Sequence, residues 1–376
     1  MGWIKTIERR SKRRLMGLLG LFLRARPITV DDFRRMHFDR ILVSRQHNQM
    51  GDMMLAIPAL RAIKEAYPRS NVGVVTSAIN RDVLDNNPFV DEVFTYNKRS
   101  LMSMVRLLRR IRRGNYDLAI ALHTVSFSFT TLMLVVLSRA RVRIGSTSHA
   151  AGESFTGSYL NITLPLPTPA ELAGLNEAEH NLYPLRAVGI DTSDLAPVIV
   201  PGAESETWAR SFAEAAWQGE RLRLAVHPGA GKTENIWPPE RFAAVVNSLA
   251  RVGEVALVAL EGPRDAGAVD RFVALCDSRA VRARGRSIGD IAALMRMADL
   301  VICNDTGVMH VAAAVGATTL AVFGSTDPLR WAPRCNNLHI VRSDGGALAS
   351  VTVDMVSEKA GAILGLILPA ERYLER

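Results

Sequence analysis

Three short turns in this chain collect the residue types that phosphate binding and proton transfer require. In residues 301–333, VICNDTGVMHVAAAVGATTLAVFGSTDPLRWAP, an apolar β-branched stretch closes a strand and Asp305 is placed to cap a helix. Thr306 and Gly307 then present a hydroxyl and unhindered backbone N–H groups at that helix's positive end, which attracts a diphosphate. His310 follows one turn later on the same face, where it supports the loop or contacts a bound hydroxyl. The helix is expected to run to about Val315, with Gly316 as its left-handed terminator and a further strand over 319–323.

A second turn, 227–239, reads HPGAGKTENIWPP. Gly229 and Gly231 expose N–H groups, Lys232 adds a cation, and the proline pair suits a helix start. It is not a Walker A loop, because the spacing and the terminal Gly-Lys-Ser/Thr are missing. The third turn, 45–52, reads RQHNQMGD; Gly51 permits close backbone approach, and Asp52 stands at a helix start, where the dipole alone favours a carboxylate.

The elements that position these turns alternate. Strands are expected over 41–44, 72–76, 92–95 and 117–122, with helices over 53–67, 101–111 and 126–139 between them. Periodicity fades over 145–169, which reads as a loop, and a helix follows over 177–188. The alternation restarts with strands over 222–226 and 255–260 and helices over 240–251, 266–275 and 288–298, the last opening on a capping-box-like Ser-Ile-Gly-Asp. This is an α/β pattern of two Rossmann-like, doubly wound parallel-sheet domains facing a cleft, with ligands beyond the carboxyl ends of the strands. The expected divisions are a basic amphipathic segment over 1–26, a first domain over 27–196, a second over 197–345, and a helical segment over 346–376 packing back on the first domain.

Length and charge limit the alternatives. A chain of 376 residues exceeds what one core usually organises. Its three cysteines are too few and scattered for a disulfide framework and imply a reducing compartment. No His or carboxylate spacing suggests a zinc site, and the lack of Gly-x-Gly-x-x-Gly after the first strand disfavours a nicotinamide oxidoreductase. The net charge of +9 is concentrated near the start and in Arg106, Arg109, Arg110, Arg112 and Arg113, so anionic partners are expected. Interleaved aromatics and nucleic-acid motifs are lacking, so nucleic acid is not among them. The nine apolar residues of 15–23 are too few to span a bilayer, but with their basic flanks they suit a helix lying on an anionic membrane surface.

In order and separation the three turns resemble glycosyltransferase family 9, the heptosyltransferases of lipopolysaccharide inner-core assembly. The resemblance runs from about Arg40 to Pro333 and rests on ILVSRQHNQMGDMMLAIPALRAI, HPGAGKTENIWPPERF, DTGVMH and FGSTDP. It implies the GT-B fold, a nucleotide-activated sugar donor, inversion at the anomeric carbon and no metal or other cofactor. It further implies that Asp52 is the general base; the helix dipole favours its ionised form and so weakens it, and His47, whose imidazole titrates nearer neutrality, is the second candidate. Gly229, Gly231, Lys232, Thr306 and Gly307 would hold the donor diphosphate, and Asp305 and His310 the donor sugar or ribose. Gly51, Arg109 and Arg110 would lie on the acceptor side. One departure stands out: the family commonly has Lys or Arg two residues before the tryptophan of the middle motif, where this chain has Asn235. The implied activity is transfer of heptose from ADP-heptose to an anionic glycolipid on the cytoplasmic side of the inner membrane. A family 9 enzyme using another nucleotide sugar for a different surface glycan, and a non-catalytic nucleotide or glycan binder, remain open alternatives.

Overall fold

The structure, a computed structural model, describes residues 23–45, 49–96, 100–122, 128–146, 157–219 and 221–367. Two six-stranded sheets organise it. The first contains β1 (Arg40–Ser44), β2 (Asn71–Ser77), β3 (Glu92–Tyr96), β4 (Leu118–Ala121), β5 (Val142–Ser146) and β6 (Ile162–Leu164) in the order β3-β2-β1-β4-β5-β6. The second contains β7 (Leu222–His227), β8 (Val255–Glu261), β9 (Ala280–Arg284), β10 (Leu300–Asn304), β11 (Thr319–Phe323) and β12 (Leu338–Arg342) in the order β12-β11-β10-β7-β8-β9. All pairings are parallel. Each sheet repeats the doubly wound order, so its crevice lies beyond the carboxyl ends of β1 and β4, or of β7 and β10. The central strands β10 and β11 are buried throughout, as strands covered on both faces must be.

The helices are α1 (Val30–Arg35), α2 (Met50–Met54), α3 (Ile57–Ala66), α4 (Leu101–Arg113), α5 (Phe129–Leu137), α6 (Pro169–Leu172) and α7 (Glu177–Arg186) in the first half. In the second they are α8 (Ala203–Ala216), α9 (Pro239–Ala250), α10 (Ala266–Leu275), α11 (Ile288–Arg296), α12 (Gly307–Ala314), α13 (Pro328–Trp331) and α14 (Val353–Leu364). The helix expected over 53–67 is two: α2 is a single turn, and α3 restarts with Pro58 in its first turn. The region read as a loop over 145–169 contains β6, three residues long and too short to show a period. Ser287 does cap α11 by accepting from the Asp290 N–H at 3.1 Å, but Asp290 does not return the bond and instead accepts from Ser205 Oγ at 2.7 Å.

The C-terminal helix departs from expectation. α14 buries Val356 and Ala360 in the second domain's core, beside Trp237 and Val246, and does not pack on the first domain. Trp237 is fully buried, lies edge-on to Phe242 at 4.9 Å, and donates its indole N–H to the Val351 carbonyl at 3.0 Å. Satisfying that indole requires the chain just before α14 to lie against α9. Residues 368–376 lie outside the described residues.

The domains meet through polar contacts as well as apolar ones. The Ile199 N–H donates to Ala314 O at 3.1 Å, and Asn87 donates to Val198 O at 3.1 Å. Asn176, fully buried before α7, donates to Leu329 O and Ala332 O across the boundary, at 3.0 and 2.9 Å.

Candidate active site

β1 leads into the first turn. Its last buried side chains are Ser44 and Arg45, and after residues 46–48, which lie outside the described residues and include the second base candidate His47, the chain enters α2. Asp52 is half-buried in the first turn of α2. Arg45 is 1 % exposed, its Nη1 donates to Leu122 O at 3.4 Å, and the charges of Asp52 and Glu177 act on its guanidinium. Burial lowers its pKa to about 10 against the pull of those two carboxylates, so it remains a cation at neutral pH. The sequence showed Arg45 only as the first residue of the turn over 45–52.

The second domain supplies the facing wall. Thr306 is the residue preceding α12, in extended conformation (φ −155°, ψ 173°), and its side chain makes no capping bond. Asp305, expected to cap, does not: its carboxylate accepts from Asn235 Nδ2 at 3.3 Å and from Thr326, and its backbone carbonyl also accepts from Asn235 at 3.1 Å. Burial raises the Asp305 pKa above the ordinary carboxylate value, partly offset by the Thr326 bond and the charge of Lys232. Asn235, the departure from the family pattern, thus ties the middle loop to the Asp305 turn.

The middle loop is held from below. Asn304, fully buried at the end of β10, donates to Pro228 O at 3.1 Å and Gly229 O at 3.0 Å, and accepts from the Trp237 N–H at 2.9 Å. A Cβ at Gly229 would run into the Asp265 carboxylate, which is fixed by His227 Nε2 at 3.0 Å and the Gly262 N–H at 3.1 Å. Burial works against ionising Asp265, but the His227 bond and charge, the Gly262 N–H and Arg264 outweigh it and hold its pKa below the ordinary value. Lys232 is exposed on the loop, and Arg264 Nη2 comes 3.9 Å from where a Cβ on Gly231 would sit. Arg264, in the turn after β8, thus brings a second cation beside the loop where the sequence singled out one.

The two walls touch at the turns themselves. A Cβ on Gly51 would stand 2.9 Å from His310 Nε2, and one on Gly307 would stand 2.7 Å from Met50 Cε. The first turn of α2, carrying Asp52, is thus packed against the first turn of α12. His310 is 5 % exposed and lies against α2 of the opposite domain, a placement for holding the two turns in register rather than for contacting a sugar hydroxyl. Beside this contact, Glu177 Oε2 accepts from His180 Nδ1 at 2.9 Å and from Arg330 of the second domain at 3.2 Å.

Arg109 and Arg110, expected on the acceptor side, stand in the second half of α4. α4 runs from the carboxyl end of β3 back towards the start of β4, so its last turns approach the opposite end of the sheet. Arg110 sits 4.7 Å over the Phe94 ring, and its neighbour Arg112 donates to Leu137 O at the end of α5. The cluster was legible as charge, but sequence alone did not fix which end of the domain it occupies.

His310 provides a test of this packing by pH. Burial drives its pKa from 6.5 down to about 4, with only partial opposition from Asp52. Between those values the unfolded chain binds a proton that the folded chain does not, so stability is full above the unfolded value and falls as pH drops. At about 1.4 kcal/mol per unit, the loss should reach ~2 kcal/mol near pH 5. Denaturant titrations at neutral and mildly acid pH should show His310→Gln lacking this part of the acid slope. Equal slopes in both proteins would remove His310 from the account.

Two doubly wound domains with a carboxylate on one wall of the cleft and a phosphate-type turn on the other define a GT-B transferase. The family description Glycosyltransferase family 9 (heptosyltransferase) matches residues 104–360, and the chain belongs to that family. It is a glycosyltransferase. It is 27 % identical over 298 residues to lipopolysaccharide heptosyltransferase 3 of Escherichia coli, covering 77 % of this chain and 84 % of the relative. It is 23 % identical over 309 residues to the lipopolysaccharide core heptosyltransferase OpsX of Haemophilus influenzae, covering 78 % and 81 %. Its fold matches the family 9 glycosyl transferase of Veillonella parvula with a TM-score of 0.74 at 23 % identity, covering 87 % of this chain and 97 % of that one. It also matches E. coli ADP-heptose heptosyltransferase II with a TM-score of 0.71 at 20 % identity, covering 86 % and 98 %.

Proposed function

We propose that this glycosyltransferase moves heptose from ADP-heptose, with inversion, onto the anionic inner core of a lipopolysaccharide or a related glycolipid at the cytoplasmic face of the inner membrane. The observation that carries this reading is the contact between the Asp52 turn and the Thr306–Gly307 turn across the cleft. The curated relatives, lipopolysaccharide heptosyltransferases by name, support the choice of sugar and acceptor.

In the proposed step Asp52 accepts the proton of the acceptor hydroxyl as that oxygen attacks the anomeric carbon. The bond from that carbon to the diphosphate oxygen breaks, and the diphosphate leaves with the added negative charge. N–H groups of Thr306, Gly307 and the Gly229–Gly231 loop, with Lys232 and Arg264, receive that charge from fixed positions, which spares the cost of reorganising water. A single base suffices for one inverting displacement, without a metal in the step. Asn235 adds no charge, so Arg264 takes over part of what a basic residue at 235 would contribute. Asp305, less readily ionised than an ordinary carboxylate, suits a hydrogen bond to a donor hydroxyl.

Calorimetric titration with ADP, UDP, GDP and NAD, followed by the sugar derivatives of whichever nucleotide binds, tests the donor. ADP is expected to bind selectively and ADP-heptose more tightly. Selective UDP or GDP binding would replace the donor and keep the mechanism. Binding of none would leave the non-catalytic alternative.

A further inference from the structure

One flank of the first domain has a composition that the cleft does not use. Its cluster of buried apolar side chains, which includes Leu42, Phe94, Leu107, Ile111 and Leu132, is drawn from first-domain residues alone. Outward from it α4 presents Met102, Arg106, Arg109 and Arg113, all exposed and spaced to form one stripe along the helix. On α5, Phe129, Met133 and Leu137 repeat every fourth residue and remain half-buried. Arg112 Nε donates to Leu137 O at 3.0 Å and fastens the two helices side by side.

Residues 23–30, 100–116, 128–146 and 157–164 of this flank contain ten arginines and no aspartate or glutamate, and Glu92 of the adjoining β3 is paired with Arg40 at 2.6 Å. The chain enters here as well: Leu23 packs against the same cluster, and Ala25 N donates to Ser158 O at 2.9 Å. The residues before Leu23 include Arg9, Arg10, Lys12, Arg13 and Arg14 followed by an apolar run.

We propose that this flank is a docking surface for an anionic lipid bilayer. The arginines of α4 meet headgroup phosphates, and Met102 and the α5 stripe lie at the acyl boundary, as on a surface-lying amphipathic helix. α4 starts just beyond the carboxyl end of β3, so the docked bilayer reaches the end of the sheet where the cleft opens. A lipid-anchored acceptor is thereby delivered to Asp52. The proposal rests on the functional reading only for that purpose, since docking itself needs neither donor nor acceptor.

The test is co-sedimentation of the full chain with vesicles of phosphatidylcholine, with and without phosphatidylglycerol. Binding is expected only with the anionic lipid and should weaken as salt rises. An arginine at such a surface contributes about 1 kcal/mol, roughly fivefold in affinity, so Arg106→Gln/Arg109→Gln/Arg113→Gln together should cost roughly a hundredfold. The triple lysine variant should bind like the parent and serves as the folding control. Unchanged binding by the glutamine variant, equal binding to neutral vesicles, or displacement of the vesicles by duplex DNA at matched phosphate would each overturn the proposal. Transfer to a deacylated, water-soluble acceptor should survive in the glutamine variant, and its loss there would assign the arginines to the acceptor site instead. If the parent binds vesicles through these arginines but transfers nothing, the docking surface is supported and the functional reading alone fails.

Discussion

Asp52→Asn should lower transfer by about a thousandfold, within the range for removing a positioned general base, while nucleotide affinity stays near that of the parent. The amide has the carboxylate's shape but cannot take the acceptor's proton. The packing of α2 against α12 rests on Gly51, Met50 and His310 and is left intact. Nucleotide affinity separates the explanations: in the proposed mechanism the leaving-group contacts belong to the other wall of the cleft, so a base defect leaves them untouched. Single-turnover rates near those of the parent would move the base elsewhere, with His47 the next residue to change.

Gly51→Val should have the second largest effect. Even its Cβ would lie 2.9 Å from His310 Nε2 and 3.0 Å from Cδ2, and the added methyl groups need more room than the buried imidazole can yield. The two turns must then separate, and a displacement of about 1 Å between reacting groups can cost on the order of a hundredfold in rate. The loss should appear in kcat, because the donor loops on the other wall keep their own supports. Combining Gly51→Val with His310→Ala relieves the clash and should recover at least part of the rate, so the two changes will not be additive. If the double variant is as slow as the two losses multiplied, the contact does not set the approach of the turns.

The central strands were legible because a strand buried on both faces must be apolar along its whole length. β10 and β11 therefore stand out, and Gly316, with φ 81°, marks the turn between them. Away from the centre legibility was uneven. The edge strand β3 was read over 92–95, but the edges β9 and β12 were not, since β9 carries Arg282 and Arg284 among small residues and β12 is only partly buried. β5 was missed although buried, because Arg143 and Gly145 break its apolar run. The site divides the same way. Its turns follow strand ends and contain glycines, which local sequence displays. Arg45 with Glu177, Glu177 with Arg330, and His227 with Asp265 are partnerships between residues far apart in the chain, and residue type alone does not indicate which charges will be buried together. Asn235 read as a missing cation because its partner Asp305, seventy positions away, was not visible.

Asn304 has a wider consequence. One buried amide uses both its donor and acceptor ends to tie two carbonyls of the middle loop and the Trp237 N–H into a single piece. A nucleotide bound as proposed would thus meet a mould already set and have little loop to organise. Little of its binding energy is diverted into ordering protein, and selection among nucleotide sugars becomes a matter of which one fits a surface that does not adapt to it.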